Sequence, residues 1–422
     1  MEGIRARSLA VGRWLTGRAG WCLAGSVALY VLTALTRPSQ PLDLSVYRGA
    51  APHLFSGGLY DFAVHTGPPI PVLPFTYPPF AALLFVPLAY LPWDVVLVLW
   101  RGASVAALLV VTAGSLRLLS PPAGGRIRDR ALLWAAAGLW LEPVRHTLDQ
   151  GQINLLLGAV VVGGLALCRT AVGRGAAVGI AASVKLTPAV GGLYLLATRQ
   201  WRAAAWAAVT GAAVTALAWC VSPGQSWRYW TSLVTDTSRV GPVWTVRNQS
   251  LRGALTRLLG PQTGASPVWW AALALVTLAA VWALLVAVRQ GDRLGVLVAV
   301  QLYGLLVCPI SWSHHWIWCV PAMIRLAHGP RRRRALSRVA LALWALVTAG
   351  RLVPRLSGVE DASVHSGPYP ALLAWPGTAF AVCAVLTFLA LAAGPVGRRA
   401  PAGTLGGQRS RERADSPVTA VD

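Results

Sequence analysis

The sequence predicts an all-α protein that crosses a membrane about ten to twelve times. Of its 422 residues 55 % are hydrophobic, the mean hydropathy is +0.57, and only 12 % are charged, against about a quarter in soluble domains. Apolar runs approach the roughly 20 residues that a helix needs to cross a bilayer. The chain has 37 Lys and Arg but 14 Asp and Glu. The arginines cluster at the ends of apolar segments, which indicates membrane topology and not a nucleic-acid partner.

The amino-terminal part alternates basic, apolar and polar segments. The arginine-rich residues 1–19 are expected to be cytoplasmic and to precede a first helix at about 20–36. An outer loop at 37–78 follows, rich in proline, glycine and aromatic residues. Residues 79–91 are short for a crossing, whereas 93–118 can return to the cytoplasm.

Two crossings are expected next, at 131–146 and 152–168, joined by a short polar outer loop. The apolar stretch 175–198 is interrupted by Lys185-Leu-Thr-Pro188. A proline inside a helix removes a backbone hydrogen bond and kinks or breaks the helix. We therefore expect two short helices that enter the membrane and return.

The carboxyl-terminal half begins with a crossing at 201–221, followed by a second outer loop at about 222–267. The remaining crossings are predicted at 268–288, 294–310, 314–328, 335–353 and 371–393. The polar tail 396–422 is expected to be disordered and cytoplasmic. Residues 20–395 would thus form one membrane domain.

This topology gathers ionisable side chains at the outer surface. They are Asp43, Asp61, Glu142, His146, Asp149, Asp236, His314, His315, Glu360 and Asp361. Transporters more often hold such groups near the middle of the bilayer and are built from repeats, and no convincing internal repeat is found. The asymmetry favours chemistry at the outer leaflet over the alternative, a transporter or flippase of lipid-linked sugars.

Asp43 is the first candidate for a catalytic group. It follows the first predicted helix in a chain that contains very few acidic residues. A solvated loop residue or a helix cap is the simpler interpretation. However, the same loop contains Tyr47, Tyr60, Phe75 and Tyr77, whose rings are suited to stacking on a sugar. A carboxylate there could accept the proton of an attacking hydroxyl group.

His314 and His315 are the second candidates. They lie in Ser311-Trp-Ser-His-His315, where the chain is expected to re-enter the membrane. An interfacial aromatic belt with incidental histidines is the alternative. A histidine at the same face as Asp43 could bind a lipid phosphate, share a proton with Asp43, or orient it.

Several polar residues near predicted helix ends are candidates for binding a donor or an acceptor. They are Tyr47, Tyr77, Gln152, Asn154, Lys185, Arg247, Asn248 and Gln249. The amides of Gln152 and Asn154 could bind sugar hydroxyls, or simply cap a helix. Lys185 is either part of a structural break or a phosphate partner, and Tyr77-Pro-Pro79 is either part of the site or a rigid entry to a helix.

No metal or cofactor is predicted. The six cysteines form no CxxC pair, and no carboxylate cluster has the spacing of oxygen ligands. The chain also has no glycine-rich phosphate loop, no DxD-type motif and no cytoplasmic domain large enough for a nucleotide sugar. If the protein is a transferase, its sugar donor is therefore expected to be borne by a lipid.

Over about residues 20–395 the chain resembles the polyprenyl-phosphate-mannose-dependent α-mannosyltransferases of glycosyltransferase family 87. The matching motifs are Asp43-Leu-Ser-Val-Tyr47, Phe75-Thr-Tyr-Pro-Pro79, Gly151-Gln-Ile-Asn154, Lys185-Leu-Thr-Pro188, Asn248-Gln-Ser-Leu251 and Ser311-Trp-Ser-His-His315. The resemblance implies a GT-C-type fold with catalytic outer loops. It also implies a multi-pass protein of the plasma membrane, with cytoplasmic termini and an active site on the outer, periplasmic face.

The same resemblance implies a reaction. The donor would be polyprenyl-phosphate mannose, and the acceptor a mannoside on a glycolipid or lipoglycan of the phosphatidylinositol mannoside or lipomannan type. The linkage would be α-(1→2), formed with inversion, with Asp43 as the base and the histidine pair near it. The leaving phosphate needs positive charge, which Arg247, Lys185 or a histidine could supply. A GT-C enzyme for another lipid-linked sugar is the nearest alternative.

Overall fold

The computed structural model describes residues 17–36, 40–66, 72–119, 127–362 and 369–393. Its described part is almost entirely helical. The predicted N-terminal segment lies largely outside these residues, as does the predicted tail. The predicted first outer loop is described except at 37–39 and 67–71.

Twenty α-helices follow one another in the described residues. In the first half they are α1 (Ala19–Thr36), α2 (Leu42–Ala50), α3 (His53–Ser56), α4 (Pro79–Ala89), α5 (Trp93–Leu118), α6 (Ile127–Gly138), α7 (Glu142–Gln150), α8 (Asn154–Leu167), α9 (Ala171–Val184) and α10 (Gly191–Ala197). In the second half they are α11 (Trp201–Val221), α12 (Pro223–Arg228), α13 (Leu251–Leu259), α14 (Pro267–Arg289), α15 (Arg293–Val307), α16 (Cys319–His328), α17 (Ala335–Ala349), α18 (Leu352–Ala362), α19 (Ala371–Ala374) and α20 (Ala379–Ala392).

The predicted all-α membrane protein is confirmed. Within the described residues, five helical segments are long and apolar enough to cross a membrane, and seven if two bent helix pairs each count as one span. Four further apolar helices have fewer than 18 residues. Helices of spanning length are thus fewer than the predicted crossings, because several predicted crossings are short or broken helices.

The bend between α7 and α8 amounts to 120° and occurs at Gly151. This residue has φ +67°, a left-handed conformation that glycine adopts without steric cost. A Cβ atom there would lie only 2.6 Å from Cβ of Leu44 and 3.2 Å from that of Pro41. Glycine therefore allows the turn and also lets α2 approach the beginning of α8.

The predicted break at Lys185 is confirmed. Helix α9 ends at Val184, and Lys185 has extended backbone angles of φ −149° and ψ 133°. A 3₁₀ turn at Thr187–Val190 contains Pro188 and leads into α10. This interruption frees the Lys185 side chain from a helix surface and directs it toward the start of α8.

The two predicted outer loops are folded and contact each other. The first contains α2, α3 and an antiparallel hairpin, β1 (Ala63–His65) with β2 (Val72–Pro74), which the sequence analysis did not predict. The second contains α12, a π-helical turn at Tyr229–Leu233 and α13. Arg228 donates to the Asp61 carboxylate at 2.7 Å, and Arg239 donates to the carbonyl oxygen of Tyr60, also at 2.7 Å.

Candidate active site

A cavity of about 430 Å³ lies between the two outer loops, the α7–α8 turn and the segment after α15. Eight of the residues predicted to form the site line it: Asp43, Tyr47, Tyr77, Gln152, Lys185, Arg247, His314 and His315. They come from six separate parts of the chain, and the helix breaks described above bring them together. The structure thus assembles most of the predicted site around one space.

Asp43 lies in the first turn of α2, where a carboxylate is favoured by the helix dipole. It is partly exposed to the cavity and accepts a hydrogen bond from the Gln152 side chain. Desolvation by the surrounding protein raises the pKa of Asp43, while the Gln152 hydrogen bond and the charges of Lys185 and His146 act in the opposite direction. A carboxylate with a raised pKa is a stronger base than an ordinary aspartate.

A chain of hydrogen bonds connects Asp43 to Lys185. The ammonium group of Lys185 lies 3.3 Å from the Tyr77 hydroxyl, and that hydroxyl lies 2.8 Å from the Tyr47 hydroxyl. Tyr47 donates to Oε1 of Gln152 at 2.9 Å, which leaves the amide NH₂ group to donate to Asp43. The two tyrosines therefore hold the glutamine in the orientation that Asp43 requires.

Lys185 has two further partners. Its Nζ atom donates to Oδ1 of Asn154 at 2.8 Å and lies 3.2 Å from Nε2 of His315. Because an ammonium group has no lone pair, Nε2 of His315 is the acceptor and the ring proton lies on Nδ1. The lysine charge is therefore placed between the histidine pair and the tyrosine hydroxyls.

The backbone of His314 is fixed, and its ring nitrogens have no hydrogen-bond partner among the described residues. Its carbonyl oxygen accepts bonds from Nδ2 of Asn154 at 3.0 Å and from the Thr147 hydroxyl at 3.1 Å. The ring packs edge-on against His146 and His315, with centroids 5.0 and 4.7 Å apart. His314 lines the cavity, but both of its ring nitrogens are buried, so the ring would have to turn before a substrate group could reach them.

Arg247 also lines the cavity, and two carboxylates of α18 hold its guanidinium group. It forms an ion pair with Asp361, whose Oδ1 accepts from Nη1 at 2.9 Å, and Glu360 lies 3.4 Å from the same Nη1. Glu360 also accepts hydrogen bonds from the hydroxyl groups of Thr245 and Tyr369, each at 2.5 Å. The guanidinium is thus fixed in place but only partly buried.

The charged groups lining the cavity are one carboxylate and several cations. Lys185, Arg239 and Arg247 face the same space as Asp43. Such a lining can bind an anion and, beside it, accept one proton. Among the described residues no group of three or more His, Cys, Asp or Glu could hold a metal ion, and a metal-free reaction stays a prediction.

The family model of glycosyltransferase family 87 matches residues 75–311 of the chain. The chain belongs to glycosyltransferase family 87. It is therefore a glycosyltransferase, and the GT-C-type fold that the sequence resemblance implied follows from this membership.

Named relatives in the family match most of the chain. A Mycolicibacterium smegmatis polyprenol-phosphate-mannose-dependent alpha-(1-2)-phosphatidylinositol pentamannoside mannosyltransferase is 40 % identical over 352 residues, which are 82 % of this chain and 83 % of the relative. A Mycobacterium tuberculosis polyprenol-phosphate-mannose-dependent alpha-(1-2)-phosphatidylinositol mannoside mannosyltransferase is 35 % identical over 376 residues, covering 85 % and 87 %. The crystal structure of apo ArnT from Cupriavidus metallidurans matches 87 % of this chain and 78 % of its own, with 18 % identity and a TM-score of 0.31.

Three predicted binding residues of this family 87 chain, Asn154, Asn248 and Gln249, lie outside the cavity. Asn248 is fully buried, donates to the carbonyl oxygens of Val243 and Pro309, and accepts from the backbone N–H groups of Ser250 and Ser311. These four hydrogen bonds use the whole hydrogen-bonding capacity of the Asn248 side chain. The Asn248 amide thus joins two backbone segments, and its direct contact with a substrate stays a prediction.

Gln249 and Asn154 do not line the cavity either, and their contact with a substrate stays a prediction. Gln249 is buried, donates to carbonyl oxygens of Val246 and Gly377, and accepts from the N–H of Phe380. Asn154 lies behind the cavity wall, where it orders Lys185 and the His314 backbone. Both amides therefore position other groups and do not themselves face the cavity.

Three residues at or beside the cavity were not selected from the sequence. His146 lines it, and its Nδ1 lies 2.8 Å from the Ser313 hydroxyl and 3.4 Å from the Glu142 carboxylate. Glu142 is almost fully buried. The signal available in the sequence was the spacing of four residues between Glu142 and His146, which places both on one helix face. Arg239 had no comparable signal, because its position depends on the fold of the second outer loop.

Proposed function

We propose that this family 87 enzyme transfers mannose from polyprenyl-phosphate mannose to a mannose residue of a phosphatidylinositol mannoside, forming an α-(1→2) linkage. The names of the relatives, which are 35–40 % identical over most of the chain, support this donor and this class of acceptor. The observation that carries the proposal is the single cavity in which Asp43 faces Lys185 and Arg247. It offers a base for the acceptor hydroxyl and cations for the donor phosphate.

The proposed reaction is a single displacement. The acceptor 2-hydroxyl oxygen attacks the anomeric carbon of the donor, and the bond between that carbon and the phosphate oxygen breaks. The electron pair leaves with polyprenyl phosphate, and the hydroxyl proton passes to the Asp43 carboxylate. Attack opposite to the leaving group inverts the anomeric carbon, so an α product requires a β-linked donor. The Gln152 hydrogen bond orients Asp43 for this step.

The leaving phosphate needs positive charge and hydrogen-bond donors but no acid. Lys185 supplies a charge fixed by Asn154 and His315. Arg247 supplies a second charge, and its planar guanidinium matches phosphate geometry. The ring of His314, whose buried nitrogens have no hydrogen-bond partner among the described residues, could bind a sugar hydroxyl or a phosphate oxygen after turning toward the cavity.

The test uses membranes that contain the chain, a phosphatidylinositol mannoside acceptor and radiolabelled polyprenyl-phosphate mannose. We expect label to appear in the acceptor and to be released by an α-(1→2)-specific mannosidase. Polyprenyl-phosphate glucose serves as the control donor. Absence of mannosyl transfer by folded protein would contradict the donor, and mannosidase-resistant product would contradict the linkage.

We further propose that the cavity opens on the outer, periplasmic face of the plasma membrane and that both termini are cytoplasmic. The arginine-rich segments at the opposite end support this orientation. In a cysteine-free background, a cysteine replacing the exposed Ser56 should react with an impermeant thiol reagent in intact cells. A cysteine replacing Arg202 should react only after permeabilisation. The reverse pattern would contradict the orientation.

A further inference from the structure

A second cavity, of about 370 Å³, lies at the end of the protein opposite to the candidate active site. Helices α9 and α15 both start at this cavity and end near the active site. The 14 residues of α9 separate the two cavities by about 20 Å, at 1.5 Å per residue. The second cavity therefore cannot be an extension of the first.

Among the residues that the structure describes, three arginines and no carboxylate line this second cavity. Arg174 comes from α9, Arg199 from the turn between α10 and α11, and Arg293 from the start of α15. The nearby carboxylate of Asp292 is buried and already paired with Arg325. The described lining is therefore a local concentration of positive charge and includes no counter-ion.

The described protein groups satisfy the hydrogen-bond donors of Arg174 only in part. Its Nε atom is buried and has no hydrogen-bond partner among the described residues, and a buried unsatisfied donor is costly. Arg293, by contrast, donates to the Leu165 carbonyl oxygen at 3.1 Å and so keeps a fixed position. Elsewhere at this end, Arg334 donates to the carbonyl oxygen of Ala393 at 2.9 Å. Because this Nε atom is buried, an anion in the cavity would bind at the partly exposed remainder of the Arg174 side chain.

Besides the arginines, Thr198 and Gln200, the cavity has an apolar side that lies beside membrane-facing helices. Ala197, Ala287, Val288 and Val296 form this part, and α11 and α14 bury only 6 % and 28 % of their apolar windows within the protein. A cavity with a basic end and an apolar side beside lipid fits an amphiphilic anion. It is also far larger than one phosphate ion needs.

We propose that this cavity binds the phosphate of an anionic phospholipid headgroup in the leaflet opposite to the active site. Arg174 and Arg199 contact the phosphate, while Arg293 fixes the floor of the site. A soluble phosphate compound shares the same charge chemistry, and the test below separates the two sources.

The first experiment counts lipids retained by the full-length protein, purified in neutral detergent, by native mass spectrometry. Phosphatidylglycerol and phosphatidylcholine are the probes. We expect wild-type protein to retain phosphatidylglycerol preferentially, and the double variant Arg174→Gln/Arg199→Asn to bind it about thirtyfold more weakly, at about 1 kcal/mol for each arginine. Asparagine is chosen because residue 199 has φ +56°, which asparagine tolerates.

The matched control is Arg202→Gln/Arg289→Gln, which removes two exposed arginines at the same end and has the same net charge. It should bind phosphatidylglycerol as the wild type does. An equal loss of phosphatidylglycerol binding in both double variants would overturn the proposed site. So would wild-type protein that binds phosphatidylglycerol no better than phosphatidylcholine. Displacement of the lipid by millimolar inorganic phosphate would overturn the lipid source in favour of a soluble phosphate compound.

A second measurement does not depend on the variants folding. Photoactivatable phosphatidylglycerol, with its reactive group near the phosphate, is incubated with wild-type protein and the labelled peptides are identified. We expect labelling of the stretch 287–296, which lines the cavity. Labelling confined to other segments would contradict the proposal.

Discussion

The ammonium group of Lys185 lies 2.8 Å from the amide oxygen of Asn154. Each residue stands at an interruption of a helix, Lys185 after α9 and Asn154 at the start of α8. The same asparagine donates to the carbonyl oxygen of His314. One amide therefore ties the Lys185 break to the histidine segment, and its placement determines where the positive charge of the site lies.

Replacement of Lys185 by methionine should reduce turnover strongly. The ammonium is the innermost cation of the cavity, and loss of one fixed group that stabilises developing charge costs about a hundredfold to a thousandfold in kcat. Steady-state kinetics with polyprenyl-phosphate mannose measures this. Arg202→Met, at an exposed site at the other end of the protein, is the control and should leave kcat unchanged. A near-normal kcat in Lys185→Met would show that the lysine does not take part in the reaction.

Replacement of Gln152 by alanine should move the acid limb of the pH–rate profile to higher pH. Asp43 must be ionised to act as a base, so activity falls as pH drops through its pKa, which desolvation raises. The Gln152 hydrogen bond stabilises the ionised form, and a hydrogen bond to a charged group contributes about 1.5–3 kcal/mol. Its loss should raise the pKa of Asp43 further, which is measured as a shift of the acid limb of kcat/KM against pH to higher pH.

The control for this prediction is Gln262→Ala, which alters an exposed glutamine of the second outer loop. Its profile should coincide with that of the wild type. An acid limb that stays in place, or moves to lower pH, in Gln152→Ala would show that the titrating group is not Asp43.

Substitutions of Arg247 and Asp361 should change KM for the donor in different directions. Arg247→Gln removes a cation from the cavity and should raise KM for the donor about tenfold or more, because charge-assisted hydrogen bonds contribute about 1.5–3 kcal/mol. Asp361→Asn removes the competing carboxylate of the ion pair and should leave KM unchanged or lower it. KM for the donor is measured for both variants by titrating the donor at a fixed acceptor concentration. A raised KM in Asp361→Asn alone would mean that the ion pair is structural and that Arg247 does not bind phosphate.

Asn248→Leu should destabilise the protein without impairing its chemistry. The side chain satisfies two carbonyl oxygens and two N–H groups of buried backbone, and each unsatisfied group costs about 1–3 kcal/mol. We expect a loss of at least about 3 kcal/mol in the free energy of unfolding, seen as a lower thermal midpoint in detergent. Gln262→Leu is the control. KM for the donor should stay at the wild-type value in the folded fraction, and a raised KM with normal stability would support Asn248 as a binding residue.

Much of the site could be predicted from the sequence because its residues are unusual where they stand. An aspartate after the first apolar run, the chain's one lysine inside another, and a histidine pair between helices all break a strong apolar pattern. Such departures cost stability in a membrane protein and therefore indicate function. Asp43, Lys185 and the His314–His315 pair were found in this way, and all line the cavity.

The remaining parts depend on contacts between distant segments. Asn248 has the residue type of a sugar-binding amide, but its partners at Pro309 and Ser311 are about 60 residues away in the sequence. The hairpin of β1 and β2 consists of two three-residue strands, too short to show a period-two pattern. Several predicted crossings, such as 152–168, are short or bent helices and do not reach spanning length, because the point at which a helix bends or ends depends on its packing.

The most direct test of the account compares Asp43→Asn with the wild type in two assays, mannosyl transfer and donor binding. Asparagine keeps the size of the side chain but cannot accept the hydroxyl proton. We predict that turnover falls by a factor on the order of a hundred to ten thousand, while affinity for polyprenyl-phosphate mannose is retained. Transfer at the wild-type rate by Asp43→Asn would contradict the central claim that Asp43 is the base.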